Sequence, residues 1–144
     1  MWIFGTSWFV SVVNNRDKDD ELLVRARLPK DLNRFLSLGY PEEAFPTTWT
    51  DLKADYRYRA SIPRHIVARI AHAAVMEIFY DNFKNEAHRQ SNANGEDGKR
   101  CSALSDVWQV MFDLQNGGYT RVPFYGRNFA ALDREGYFDD DEPS

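Results

Sequence analysis

The sequence predicts an α+β fold in which helices cover one face of a small antiparallel sheet. Three segments alternate apolar and polar residues, as strands with one buried face do: 7–13, 21–28 and 54–62. Three others repeat apolar residues at the helical period: 29–38, 63–89 and 101–115. Their order along the chain is ββαβαα, which is an α+β pattern.

The arrangement of the three strands follows from their connections. Polar residues 14–20 join the first two strands, so these form a hairpin. The second strand returns to the third through a helix, and such crossovers are right-handed. The simplest sheet therefore places the first strand in the middle, in the order 2-1-3, with every neighbouring pair antiparallel. This layout resembles a truncated ferredoxin-like, or split βαβ, fold. Residues 40–52 contain two prolines and no clear period, which predicts an irregular connection.

Turn and capping residues mark the ends of the helices. Pro29 favours the first turn of the first helix, and Gly39 ends it. Ser61 and Pro63 mark the start of a long second helix that runs to about residue 89. The apolar stripes of the last two helices predict a buried cluster against the sheet. Its members are Ile70, Ala74, Leu104, Trp108 and Met111.

Length and composition predict a single α+β domain over residues 1–118, followed by an aromatic and acidic tail over residues 119–144. The 144 residues match the usual domain size, and 43% of them are hydrophobic, which is enough for one core. The last twelve residues hold six of the 22 acidic residues but one of the 18 basic residues. The rest of the chain is therefore nearly neutral, although the formal net charge is −4.

Cysteine, histidine and motif patterns give no sign of a catalytic or metal centre. Cys101 is the single cysteine, so no intramolecular disulfide can form. His65 and His72 are seven residues apart on a predicted helix, about 10.5 Å along its axis, too far to share one metal ion. Glycine-rich phosphate loops, nucleophile elbows and paired carboxylates are missing. We therefore expect no catalytic residues, no metal and no cofactor.

The amino-terminal residues predict no targeting or membrane segment. Residues 1–15 are apolar but lack a basic leader region and a small-residue cleavage site. No apolar run in the sequence approaches the length of a membrane span. With a single cysteine, the chain is consistent with a reducing compartment. We expect a cytoplasmic protein without a membrane partner.

The most informative pattern is arginine at every second position of two predicted strands, in "LLVRARLP" at 22–29 and "DYRYRASIP" at 55–63. If the intervening residues, including Tyr56 and Tyr58, face the helices, the arginines face away from them. Phe9 of the first strand would then lie beside the arginines. The candidate binding residues are Arg25, Arg27, Arg57, Arg59 and Phe9.

Two interpretations of this arginine face stay open. The guanidinium groups could grip the phosphates of a nucleic acid while Phe9 stacks on a base, or they could meet an acidic protein surface. Alternatively, they form the polar coat that any half-exposed sheet requires.

The end of the chain carries a second candidate interaction segment, in which two aromatic residues precede four acids. Its residues are Tyr137, Phe138, Asp139, Asp140, Asp141 and Glu142. Such an acidic end is usually solvated, yet it could also dock onto a basic surface of a partner or of this chain.

The combination "WFVSVV", "LLVRAR", "DYRYRA", "DNFK" and "VWQVM" resembles a family of small uncharacterised bacterial or phage proteins. The resemblance covers roughly residues 1–115. It implies a compact cytoplasmic accessory protein, and it brings no established activity, catalytic residues or cofactor.

The sequence favours a non-enzymatic binding or regulatory module that contacts an anionic partner, either nucleic acid or an acidic protein surface, through the arginine face. One alternative is an inhibitor of a nucleic-acid-handling complex, of the phage or mobile-element type, that uses the acidic tail as a polyanion mimic. Another is a metal-free ribonuclease that uses Arg, His and Tyr side chains. The partner and the oligomeric state stay open, with a homodimer among the alternatives.

Overall fold

The computed structural model describes residues 1–118, which form two compact units, Met1–Phe79 and 80–118. The first unit contains the strands β1 (Trp2–Phe4), β2 (Phe9–Asn14), β3 (Glu21–Ala26), β4 (Thr48–Thr50) and β5 (Tyr58–Pro63), and the helices α1 (Pro29–Ser37) and α2 (Arg64–Met76). The second contains α3 (Phe83–Ala93) and α4 (Lys99–Gln115). The single domain predicted over residues 1–118 stays a prediction, since two compact units can still fold cooperatively. The predicted tail lies outside the described residues.

The five strands form one sheet in the order β1-β2-β3-β5-β4, and all four neighbouring pairs are antiparallel. An α+β fold with an antiparallel sheet is thus confirmed. The prediction of three strands in the order 2-1-3 is wrong, and the ferredoxin-like layout is not confirmed. The physical reason is that β1 folds back on β2 and takes the edge that the prediction gave to the third strand. β5 pairs with the free edge of β3, which becomes the central strand.

One face of the sheet packs on α1 and α2 and forms the core of the first unit. Alternate residues of the central strands point into this core, as predicted: Val24 and Ala26 of β3 lie opposite Ala60 and Tyr58 of β5. The helices α1 and α2 contribute five of the buried core residues, and the Phe35 ring of α1 meets the Trp8 ring with centroids 5.2 Å apart. The buried core residues are Trp8, Val10, Val12, Val24, Ala26, Leu32, Phe35, Leu36, Ala60, Ile62, Val67 and Ile70.

Two junctions hold the helices closely to this sheet. The backbone leaves α1 through Gly39, where an added Cβ would lie 2.4 Å from Cγ1 of Ile70, so α2 packs directly on this glycine. α2 begins at Arg64, immediately after β5 ends at Pro63, without an intervening loop. The Arg64 N–H donates to the carbonyl oxygen of Asp20 at 2.8 Å, which ties this junction to the β2–β3 connection.

The long helix predicted over residues 63–89 is wrong, because the structure has two helices in this range. α2 ends at Met76, and α3 begins at Phe83 after residues 77–82. Asn82 caps α3: its side-chain oxygen accepts a hydrogen bond from the Asn85 N–H at 3.0 Å. Such a cap satisfies a backbone donor that would otherwise lack a partner in the first turn. The apolar period continues past Met76, so the periodicity alone did not indicate the break.

The predicted buried cluster of Ile70, Ala74, Leu104, Trp108 and Met111 is also wrong. Ile70 is fully buried, but Trp108 is 47% exposed and Met111 is 57% exposed. The core of the first unit is complete without α4, because α1 and α2 already cover the helix-facing side of the sheet. α4 itself forms over Lys99–Gln115 and packs against α3.

Candidate partner-binding face

The face of the sheet opposite the helices carries one row of residues that spans all five strands. Directly opposed residues of antiparallel neighbours point to the same face. The register therefore places Trp2, Ser11, Arg25, Arg59 and Trp49 in line across β1, β2, β3, β5 and β4. Four interstrand steps of about 4.8 Å separate the two tryptophan positions by about 19 Å. We call this surface the open face.

Residues 51–57 cross part of the open face and place Tyr56 on it. The Asp51 N–H donates to the Arg57 carbonyl oxygen at 2.8 Å, and Arg59 Nε donates to the Tyr56 carbonyl oxygen at 2.9 Å. The Tyr56 ring is buried, with its centroid 6.2 Å from that of Phe9. The expectation that Tyr56 faces the helices is therefore wrong. β5 begins at Tyr58, so the alternation of the strand does not extend back to residue 56.

Two of the predicted arginines pack against this tyrosine. The guanidinium carbon of Arg25 lies 5.0 Å from the Tyr56 ring centroid, and that of Arg27 lies 4.3 Å from it. Arg25 Nη2 donates to Ser11 Oγ at 3.1 Å. Arg27 donates to the backbone oxygen of Asp55 and forms an ion pair with its carboxylate, each at 3.2 Å. Both positive charges are thus held in place at one end of the open face.

The other two predicted arginines differ sharply in exposure. Arg59 is 7% exposed, and its hydrogen bond to the Tyr56 backbone fixes the crossing segment. Arg57 is exposed, and within residues 1–118 its guanidinium forms no hydrogen bond or ion pair. Arg27 is also exposed, because its side chain is 44% accessible despite the ion pair. The exposed positive charge beside Tyr56 therefore comes from Arg27, with the half-buried Arg25 next to it, and Arg57 adds an exposed charge in the segment that leads into β5.

Aromatic rings occupy both edges of the open face. Phe9 stacks on Phe4 with centroids 4.4 Å apart, and the Trp2 ring meets Phe9 edge-on at 5.8 Å. Trp2 is 65% exposed at the β1 edge, and Trp49 is 43% exposed at the β4 edge. The open face thus presents an indole at each end of its row, with guanidinium groups between them.

The far end of the open face carries a carboxylate that is paired with a lysine. Ser61 Oγ donates to the Glu21 carboxylate, and Asn15 Nδ2 donates to Ser61 Oγ at 2.6 Å. Lys18 Nζ donates to the same carboxylate at 3.1 Å. The hydrogen bonds from Ser61 and Lys18 lower the pKa of Glu21, so this carboxylate is ionised at neutral pH. This carboxylate is already occupied by Lys18 and Ser61, so an anion would be attracted to the arginine end rather than to this one.

The structure brings most of the predicted binding residues together and adds three that the prediction missed. Arg25, Arg27, Arg59 and Phe9 surround the Tyr56 ring or its backbone, and Arg57 follows it in the chain. Sequence reasoning missed Trp2, Trp49 and Tyr56. The signals for the two tryptophans were the short β-prone segments "WIF" before Gly5 and "TWT" after Pro46. The tail residues Tyr137, Phe138, Asp139, Asp140, Asp141 and Glu142 lie outside the described residues.

The histidines of α2 do not form a site. His65 and His72 are exposed on the helix layer, and Arg69 between them donates to the Gly39 carbonyl oxygen at 3.1 Å. Over residues 1–118, no three His, Cys, Asp or Glu side chains lie close enough together to hold a metal ion. Within the same range, no helix combines the length and the apolar character that a membrane span needs.

Comparison with known proteins identified no relative of this chain. No protein-family model, curated protein or solved structure matches the chain. The resemblance drawn from the sequence motifs therefore stays a prediction.

Proposed function

We propose that this protein is a non-enzymatic binding module whose open face holds a single-stranded nucleic acid. The observation that carries the proposal is an exposed indole at each edge of the sheet, together with the exposed guanidinium of Arg27 beside the Tyr56 ring between these edges. Proteins that bind single strands without sequence preference combine aromatic stacking platforms with a basic groove that follows the backbone. The open face offers both components on one surface.

The arginines take different parts in this proposal. Arg27 and Arg57 are exposed enough to contact phosphates directly, and Arg25 supports them from behind. Arg59 is buried, so its part is to hold the Tyr56 segment in place through the backbone hydrogen bond. The ion pair between Arg27 and Asp55 is exposed, and such pairs contribute little free energy, so a phosphate can replace the carboxylate.

The exposed tryptophans favour nucleic acid over an acidic protein surface. An acidic peptide is recognised through cations and hydrogen-bond donors, and it carries no bases that could stack on the two exposed indoles. A base has a π-face that stacks on an indole, at about 1–3 kcal/mol per base. Trp2 and Trp49 lie about 19 Å apart along the row, so one strand crossing the sheet would meet both.

The test is a titration of fluorescein-labelled dT12 and U12 oligonucleotides with the full chain, from low to moderate salt. We expect binding that weakens with salt, with a log–log slope near −2 if about three phosphates are contacted. Arg27→Glu should weaken binding, and it should reduce the magnitude of that slope by the amount that corresponds to the loss of about one phosphate contact. Trp2→Ala and Trp49→Ala should each weaken binding by about 1–3 kcal/mol and leave the slope unchanged.

The matched control is Lys30→Glu, which makes the same charge change on an exposed residue of α1, on the helix side of the sheet. It should bind the oligonucleotides as the wild type does. If the wild type binds neither oligonucleotide at low salt, the proposal is refuted and the arginines are a polar coat. Equal loss in the Lys30 and Arg27 variants would also contradict it, because only net charge would then matter. Cleavage of U12 during the titration would instead support the ribonuclease alternative.

A further inference from the structure

The carboxyl-terminal part of α4 carries large apolar side chains that face solvent. Cys101 near the start of α4 is buried, whereas six apolar residues further along are exposed. These are Val107, Trp108, Val110, Met111, Phe112 and Leu114. The Trp108 and Phe112 rings stack with centroids 5.1 Å apart, and Lys84 of α3 lies with Nζ 3.6 Å from the Trp108 ring centroid. An exposed apolar surface of this extent is uncommon on a monomeric soluble protein and indicates an interaction site.

The spacing of these residues indicates what kind of element covers them. Leu104, Val107, Met111 and Leu114 follow one another at intervals of three, four and three residues. These are the a and d positions of two heptads, the pattern by which one helix packs along another. Val110 and Trp108 then occupy the flanking g and e positions, so the apolar seam is broad. The seam therefore fits another α-helix.

Charge placement allows this helix to be a second copy of α4. The two charged residues beyond Ser105, Asp106 and Asp113, both fall at c positions away from the seam, and Gln109 falls at the outermost f position. The e and g positions, whose charges set partner choice in paired helices, are uncharged here. Two copies of α4 can therefore pair without bringing like charges together.

The exposed area is of the size that a dimer needs. Phe112 falls at a b position outside the seam, and the other five exposed side chains offer about 100 Å² each, or about 500 Å² per copy; the total of about 1,000 Å² for two copies reaches the lower size limit of a specific interface. Symmetric pairs are the commonest assemblies of soluble proteins, and they use the same patch on both copies.

We propose that this protein forms a homodimer in which α4 of one chain packs along α4 of the other through the Leu104, Val107, Met111 and Leu114 seam. This proposal does not depend on the function of the open face. In the dimer, the face of α4 that carries Gln109 and Asp113, which are joined by a hydrogen bond of 2.8 Å, stays in solvent.

The test is the mass of the full chain in solution, measured by sedimentation equilibrium over a range of concentrations. The wild type should be a dimer at micromolar concentration. Met111→Lys should raise the dimer dissociation constant by about 100-fold, because a charge and a long aliphatic stem replace an apolar side chain in the seam. Gln109→Lys, which adds the same side chain on the opposite side of the helix, should leave the dissociation constant unchanged.

Circular dichroism of each variant distinguishes loss of pairing from loss of folding. Met111 is exposed in the single chain, so its replacement should leave the helical signal unchanged. If Met111→Lys unfolds, Leu114→Lys, in the last turn of α4, provides the same seam change. A wild type that stays monomeric at 100 µM concentration, or a folded seam variant that dimerises as well as Gln109→Lys does, would overturn the proposal.

Discussion

Replacing Gly39 with alanine tests how closely α1 and α2 approach each other. In the structure, the added methyl group would lie 2.4 Å from Cγ1 and 3.0 Å from Cδ1 of Ile70, a residue with no exposed surface. Real Cβ contacts are longer than this, so α2 or the Gly39 turn must shift. The Gly39 and Tyr40 N–H groups both donate to the Leu36 carbonyl oxygen, at 3.0 and 2.9 Å, and this turn resists movement.

The expected cost follows from two opposing effects. Overpacking a close contact destabilises by about 1–3 kcal/mol. Alanine also reduces the conformational entropy of the unfolded chain relative to glycine, which stabilises the folded protein by about 0.4–1 kcal/mol. We therefore expect Gly39→Ala to lower the free energy of unfolding by about 1–2 kcal/mol.

A double-mutant cycle shows whether Ile70 is the cause. Ile70→Ala alone should cost about 2–5 kcal/mol, because it leaves a cavity in the core. In Gly39→Ala combined with Ile70→Ala, the new methyl group enters the space that the isoleucine leaves. The double variant should therefore cost less than the sum of the two single variants, by about 1–2 kcal/mol.

The measurement is urea unfolding followed by circular dichroism and by the fluorescence of the buried Trp8. Gly118→Ala is the control, since the nearest heavy atom to its added Cβ is 3.9 Å away, and its stability should match that of the wild type. Costs that add within about 0.5 kcal/mol would refute the direct contact between Gly39 and Ile70. A stable Gly39→Ala variant would refute it as well.

Three further predictions concern α3 and the Tyr56 segment. The carboxylate of Glu86 accepts hydrogen bonds from Arg89 and Gln90, which lower its pKa to about 2. Because this pKa is lower in the folded state, its contribution to stability is present above about pH 4.5 and is lost as the pH falls toward 2. An acid titration of helicity should therefore show a smaller pH dependence in Glu86→Gln, and equal curves would contradict the assignment. Asn82→Ala should lower the free energy of unfolding by about 0.5–2 kcal/mol, measured by thermal unfolding, because it removes the α3 cap. Asn82→Asp should keep most of the wild-type stability, because aspartate also caps helices. Tyr56→Ala should cost about 3–5 kcal/mol in urea unfolding, whereas Tyr56→Phe, which keeps the ring beside Arg25 and Arg27, should stay near wild type.

The sequence predicted those parts of the fold that depend on local periodicity. Alternation in β3 and β5 correctly separated Val24 and Ala60, which point into the core, from Arg25 and Arg59, which point away. Pro29 and Gly39 also bound the first helix as predicted. These features can be predicted because they depend on the spacing of apolar residues and on the residues that end a helix, both of which the sequence shows directly.

The pairing of the strands depends on contacts that periodicity does not contain. The three-residue strands β1 and β4 are too short to show alternation, yet β1 occupies the β2 edge and so determines which strand lies in the centre. The break between α2 and α3 likewise depends on the Asn82 cap, which lies between two segments that both show helical spacing of apolar residues. Periodic patterns predict which face of a strand or helix is buried. They do not predict which strands pair, because pairing depends on three-dimensional packing.

The same limit applies to the candidate site. Alternation correctly grouped Arg25 and Arg59 on the open face, but it could not show that Tyr56 folds over them. That fold depends on the backbone turn before β5, in which Arg59 reaches back three residues to the Tyr56 carbonyl. The path of the segment before β5 therefore determines how exposed each arginine is. The alternating pattern alone predicts the same exposure for all four arginines.

Because β5 continues directly into α2, the number of residues in this region is constrained as strictly as their identities are. An extra residue within β5 would exchange the sides of Arg59 and Ala60, moving a guanidinium into the core. An extra residue between Pro63 and Arg64 would turn the apolar side of α2 by about 100° away from the sheet. With no loop between strand and helix, neither shift can be absorbed locally. Insertions and deletions should therefore be tolerated in the exposed residues 16–20, where the β2–β3 connection faces solvent, and be excluded from residues 58–70.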